Sequence, residues 1–308
     1  MKEFPSCFGE SGVQISSSSS SSSSTTNKTT LAQNLVTCVY HYRSQTFSGF
    51  ITITWIKHLM AQGLVICIEN STKVSLCKVD IKPWLFSKRK GLRSLVVNYT
   101  KINIFWDLSS AKFGSSPEPL EGFCLAIALN QELCLLLGDL PNEALKKIDP
   151  STSISPKANY IAKKEHIFGK RLYNSKAKFF DKGKLHDVRI EYDPSDGFGK
   201  CLMIFVDRKV VLQVKRLVWK FRGNETILVD GVYVEVYWDV YNWLFGGVMS
   251  NAVFLFRSNV CGEKMWIKRA SFEPSALSLI NGWDESKEMV DSQQVHGFSL
   301  VLCAWKSE

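Results

Sequence analysis

The chain has 308 residues, 45% hydrophobic and 12% aromatic with nine Trp, and a formal charge of +9. That much apolar bulk excludes disorder as the state of the whole chain and suffices for one large domain or two of ordinary size. Nine Cys with no Cys-x-x-Cys pair exclude a disulfide framework and a paired-cysteine zinc module, so reduced thiols are expected.

Residues 1–30 contain nine consecutive serines, Ser16 to Ser24, with no apolar surface to offset the entropy of ordering, and are expected to be a disordered leader. Met1-Lys2-Glu3-Phe4-Pro5 lacks the apolar run of a secretory signal. Glu3, Glu10 and the absence of Arg argue against a chloroplast transit peptide, leaving cytoplasm or nucleus as the expected location. The most apolar stretch, Phe123 to Leu137, is broken by Asn130, Gln131 and Glu132 and falls short of the roughly 20 residues of a spanning helix. A soluble protein without a transmembrane segment is expected.

From Leu31 onward apolar and polar residues alternate with the period of half-buried strands. His186, Val188, Ile190 and Tyr192 fall on one face, as do Val232, Val234, Val236 and Trp238. Asp230-Gly231 between two apolar runs reads as a two-residue hairpin, because both central positions must reach positive φ. Asp181-Lys182-Gly183-Lys184 and Arg222-Gly223-Asn224-Glu225 read the same way. One helix is expected, Pro141 to Ile148, capped by Asp139. Between Val210-x-Leu212-x-Val214 and Leu217-x-Trp219-x-Phe221 the apolar phase slips by one residue, which implies a β-bulge at Lys215-Arg216. Pro83 implies an edge or a bulge at the matching earlier place. The class is all-β, with antiparallel sandwich-like or curved sheets.

Landmarks recur in order some 132–138 positions apart, by residue number. Thr52 to Trp55 matches Val188 to Glu191, and Leu64 to Ile68 matches Leu202 to Val206. Val79, Trp84 and Phe86 match Val214, Trp219 and Phe221. Ile102 to Leu108 matches Val234 to Val240. This order implies an internal duplication, with a first β unit at 31–148, a junction at 149–170 and a second β unit at 171–308. Two separate domains and one continuous fold remain equally compatible with the spacing.

Longer strings carry a resemblance. Leu35-Val36-Thr37-Cys38-Val39-Tyr40, Cys77 to Phe86 and Phe105-Trp106-Asp107-Leu108-Ser109-Ser110-Ala111-Lys112-Phe113 are among them, as are Lys164 to Gly169, Trp219 to Asn224 and Val236 to Val240. With these the chain resembles a plant family of uncharacterised proteins, domain of unknown function 868. The resemblance implies a plant source and an all-β fold, and it brings no catalytic residues.

Asp107 and Asp239 end matched strands, each just after a Trp. Paired carboxylates would suit glycoside hydrolysis, whereas a strand-end Asp more simply turns the chain by binding nearby amides. The five His show no metal spacing, and Cys38-x-x-His41 lacks a second pair. No Gly-x-Ser-x-Gly elbow, P-loop or Gly-x-Gly-x-x-Gly occurs, so no cofactor is implied. Basic charge stands out: Lys157 to Arg189 holds ten Lys or Arg against three acids. Lys170, Arg171, Lys176, Lys178, Lys182 and Lys184 are the candidate anion-binding surface there. Further basic groups are Lys88-Arg89-Lys90 with Arg93, and Lys215, Arg216, Lys220 and Arg222 around Trp219 and Phe221. The phase of their strand places these two aromatics in the core. The function expected is a non-enzymatic binding or scaffold module whose basic surface meets a protein, nucleic acid or anionic lipid. The alternative is a carbohydrate-active hydrolase using Asp107 and Asp239.

Overall fold

The structure is a computed structural model that describes residues 34–44, 47–58, 62–81, 89–148, 156–180, 183–194, 200–247, 250–258 and 297–306. The serine-rich leader, Pro83, Trp84, Phe86, Lys88 and Lys182 lie outside them. Within them the class is all-β, mostly antiparallel strands with two short helices.

A meander opens the chain: β1 (Asn34–Arg43), β2 (Ser48–Lys57), β3 (Gln62–Asn70) and β4 (Ser75–Ile81). There follow β5 (Lys90–Val97), β6 (Thr100–Asp107), the short β7 (Lys112–Phe113) and β8 (Pro119–Glu121), β9 (Cys124–Leu129) and β10 (Glu132–Gly138). After α1 (Pro141–Leu145) come β11 (Asn159–Gly169), β12 (Leu172–Ala177), β13 (His186–Asp193), β14 (Cys201–Val206) and β15 (Lys209–Val214). The chain ends with β16 (Arg222–Val229), β17 (Val232–Asp239), α2 (Tyr241–Phe245), β18 (Asn251–Ser258) and β19 (Phe298–Lys306).

One nine-stranded sheet runs β16-β17-β18-β19-β11-β1-β2-β3-β4, and two four-stranded sheets run β10-β9-β6-β5 and β12-β13-β14-β15. Strand β11, within the stretch read as a junction, joins the two halves, antiparallel to β1 and parallel to β19. The pairing order repeats: β1 to β4 pair as β12 to β15 do, and β5-β6-β9-β10 pair as β16-β17-β18-β19 do. The matched sequence landmarks fall on β2 and β13, β3 and β14, β4 and β15, β6 and β17.

Two apolar cores result. Val36, Ile53, Ile66 and Val79 of the large sheet pack with Ile104 and Ile127. Val236, Phe254 and Leu302 pack with Ile190, Ile204 and Leu212. Val36 stands opposite Glu165, and Glu165 opposite Leu302. Residues directly opposite in a sheet share a face, so both four-stranded sheets cover the same face of the large one.

Several local expectations are corrected. The helix stops at Leu145; its N-cap is Leu140 with no side-chain cap bond, because the Asp139 carboxylate instead accepts from the Gly122 and Phe123 amides. A second helix, α2, follows β17. The Asp230-Gly231 hairpin forms with φ of 48° and 81°, but Arg222 to Glu225 lies inside β16 rather than in a turn. The phase slip at Lys215-Arg216 is not a bulge: β15 ends at Val214, and Arg216 at φ 55° turns the chain into the next sheet. The apolar Phe123 to Leu137 stretch is the β9–β10 hairpin, turned by Asn130 and Gln131 at φ 48° and 66°.

Candidate functional site

Asp107 and Asp239 close the bases of their hairpins. In register, Lys90 opposes Asp107 and Arg222 opposes Asp239. Lys90 Nζ stands 2.6 Å from Asp107 Oδ2, and Arg222 Nε donates to Asp239 Oδ2 at 2.9 Å. Each remaining oxygen accepts from the amide two residues on, Ser109 at 3.1 Å and Tyr241 at 3.0 Å. Burial pushes the Asp107 pKa up, but the hydrogen bonds from Lys90 and the Ser109 amide outweigh it and hold the group below its ordinary value. A glycosidase acid requires the opposite shift. The two carboxylates stand in different sheets and share neither cation nor amide partner.

The stretch from Lys157 to Arg189 is less basic in space than in sequence. Lys176 meets Asp187 at 3.6 Å, and Lys184 meets both Asp207 at 3.4 Å and Asp230 at 3.5 Å. Lys157 pairs with Glu132, and Arg189 with Glu191. Asp207 and Asp230, brought in by two hairpin turns from outside the window, also flank the buried His186. Among the described residues Lys170, Arg171 and Lys178 have no ion pair.

The third basic group is built differently. Leu217 is fully buried in the core, and its amide donates to the Lys200 carbonyl. Three residues on, the Lys220 carbonyl accepts from Trp238 Nε1 at 3.0 Å. Between these anchors the amides of Trp219 and Lys220 fold back on the Arg216 carbonyl. The turn therefore projects Val218 and Trp219 outward, with Trp219 85% exposed. The core position expected for Trp219 is wrong, since the positive φ at Arg216 ends the alternation that suggested it. Phe221 does pack against the core, edge-on to Tyr241 and Phe245 of α2. Lys215, Arg216 and Lys220, neighbours of the Trp in sequence, are exposed, and Arg222 lies over the Phe221 and Tyr241 rings.

A family model described as plant protein of unknown function (DUF868) matches residues 31–306. The chain belongs to this family. No curated protein and no solved structure matches it.

This DUF868 protein also has a polar seam that sequence reasoning missed, between its two cores on β11. Lys163 Nζ lies 3.0 Å from Glu118 Oε2 and 3.2 Å from Glu165 Oε2. Ser175 Oγ donates to Glu165 Oε2 at 2.5 Å, and Cys38 Sγ donates to Glu118 Oε1 at 3.4 Å. Burial alone would lower the Lys163 pKa, but Glu165 and Glu118 raise it above its ordinary value, so the ammonium is kept. The only sequence signal was Lys and Glu at the inward phase of a strand. Two buried thiols are poor nucleophiles: burial pushes Cys124 up to about 11 and Cys134 up to about 12, far from the depressed values of reactive cysteines. Among the described residues no group of three or more His, Cys, Asp or Glu could hold a metal ion. No described helix is long and apolar enough to cross a membrane.

Proposed function

We propose that this DUF868 protein is a non-enzymatic binding module that grips an anionic partner through the 215–222 loop. The observation carrying the reading is the exposed Trp219, on a turn anchored at both sides and flanked in sequence by the exposed Lys215, Arg216 and Lys220. From Gln213 to Gly223 the sequence holds four cations and no acid, whereas the 170–184 surface is partly neutralised by Asp187, Asp207 and Asp230. A single exposed ring is ordinary on a protein surface; the place of Trp219 on a pre-organised turn that also carries exposed cations is what supports a binding role.

The scaffold behind the loop is read as a duplicated β unit. The repeated pairing order supports this, as do the matched pairs Lys90–Asp107 and Arg222–Asp239. Duplication accounts for the two aspartates as hairpin-closing groups placed twice, with no need for a catalytic pair.

The test is retention of the full chain on heparin against rising salt. The triple variant Lys215→Glu, Arg216→Glu, Lys220→Glu is expected to elute at much lower salt than the wild type. The variant Lys170→Glu, Arg171→Glu, Lys178→Glu is expected to move less. Unchanged elution of the first variant would remove the loop from the function.

A further inference from the structure

We propose that the partner of this loop is the surface of an anionic lipid bilayer, with Val218 and Trp219 entering the headgroup region and the neighbouring cations resting on lipid phosphates. The inference rests on reading the loop as an anion-binding surface and adds the identity of the anion's carrier.

Loop shape favours a bilayer over a nucleic acid. Single-stranded nucleic acid is held in a basic groove where successive bases stack on aromatic faces. Here the exposed cations belong to a projecting turn and its flank, and the residue beside Trp219 is the aliphatic Val218, which offers no face for stacking. Phe221, Tyr241 and Phe245 pack against one another at interplanar angles of 65°, 88° and 48°, so they do not offer a run of parallel faces to successive bases.

An indole is suited to the headgroup level because its ring is apolar and its N–H is polar. Each nearby Lys or Arg strengthens attachment to an anionic leaflet about fivefold. An apolar tip and three exposed cations together supply the two signals that stable peripheral attachment needs. The anchoring of Leu217 and of the Lys220 carbonyl means little ordering entropy is lost on insertion.

The experiment is co-sedimentation of the full chain with phosphatidylcholine vesicles and with mixed phosphatidylcholine and phosphatidylserine vesicles, run beside heparin retention. The wild type is expected to sediment with the mixed vesicles and not with pure phosphatidylcholine. Trp219→Ala is expected to weaken vesicle binding about tenfold while heparin elution hardly moves, since heparin offers no apolar phase. The variant Lys215→Gln, Arg216→Gln, Lys220→Gln is expected to lose on the order of a hundredfold on vesicles and to elute early from heparin. Trp219 is exposed, so its variant keeps the fold, and an unchanged thermal melt checks this. Heparin retention without vesicle binding would overturn the lipid proposal and leave the anion-binding function standing. Failure on both supports would overturn the two together. Vesicle binding unaffected by Trp219→Ala would overturn insertion, as would tighter, Trp219-dependent binding to a single-stranded oligonucleotide.

Discussion

The indole of Trp238 covers Gly223 so closely that a Cβ there would come within 2.4 Å of its Cζ2. Trp106 covers Gly91 at the same 2.4 Å, in the same register one position inside the Lys90–Asp107 and Arg222–Asp239 pairs. A ring laid over the neighbouring strand's backbone requires glycine at that point. In the second half the same ring also donates to the Lys220 carbonyl, so packing in the sandwich and presentation of Trp219 share one side chain.

Substituting Gly91→Ala or Gly223→Ala should therefore force the ring aside and cost about 1–3 kcal/mol by overpacking. Chemical denaturation measures this. Gly223→Ala should in addition loosen the 215–222 loop, seen as faster amide exchange at Trp219 and Lys220, whereas Gly91→Ala should leave that loop alone. Two variants as stable as the wild type would mean that the rings do not need the glycines.

The seam on β11 gives an asymmetric prediction. Lys163→Ala removes the cation that Glu165 and Glu118 face, leaving a buried carboxylate without its charge partner. A loss of about 3–5 kcal/mol is expected, while replacing Lys163, Glu165 and Glu118 together by apolar residues of similar volume should cost far less. Equal losses in the single and the triple variant would contradict the seam as an electrostatic unit.

His166 supplies the pH dependence. Burial, followed by the neighbouring Lys164 charge, pushes its pKa from 6.5 down to about 4, and its Nδ1 accepts from Trp305 Nε1 at 3.2 Å. A histidine held neutral in the fold contributes stability that is complete above its unfolded pKa and is lost as pH falls toward the folded one. Stability should thus decline between about pH 6.5 and pH 4, by roughly 3 kcal/mol at most. His166→Gln keeps an acceptor for the indole and removes the titration, so its melting temperature should be flatter over that window. A variant with the same slope as the wild type would assign the decline to other groups. The carboxylates of Asp107 and Asp207, both held below their ordinary range, add a further loss only at lower pH.

Strand phase made much of the fold legible: the faces of β13 and β17 and the Asp230-Gly231 hairpin follow directly from alternation and turn chemistry. Strand β11 was illegible for the same reason, since its inward positions Lys163 and Glu165 are charged, pair with each other and are completed by Glu118 and Ser175 from outside the strand. Trp219 was misplaced because alternation was carried across Arg216, where a positive φ ends the strand. Helix α2 is five residues long, too short for a 3.6-residue period to register. The charge count over 157–189 left out Asp207 and Asp230, which reach Lys184 from outside the window.

The measurement that bears most directly on the binding function is the salt dependence of affinity for a fluorescent heparin oligosaccharide, wild type against Lys215→Gln, Arg216→Gln, Lys220→Gln. If the loop is the anion site, the logarithm of affinity should fall steeply with the logarithm of salt for the wild type, and the slope should shrink by about three in the variant, near one per cation lost. Identical slopes would contradict the account.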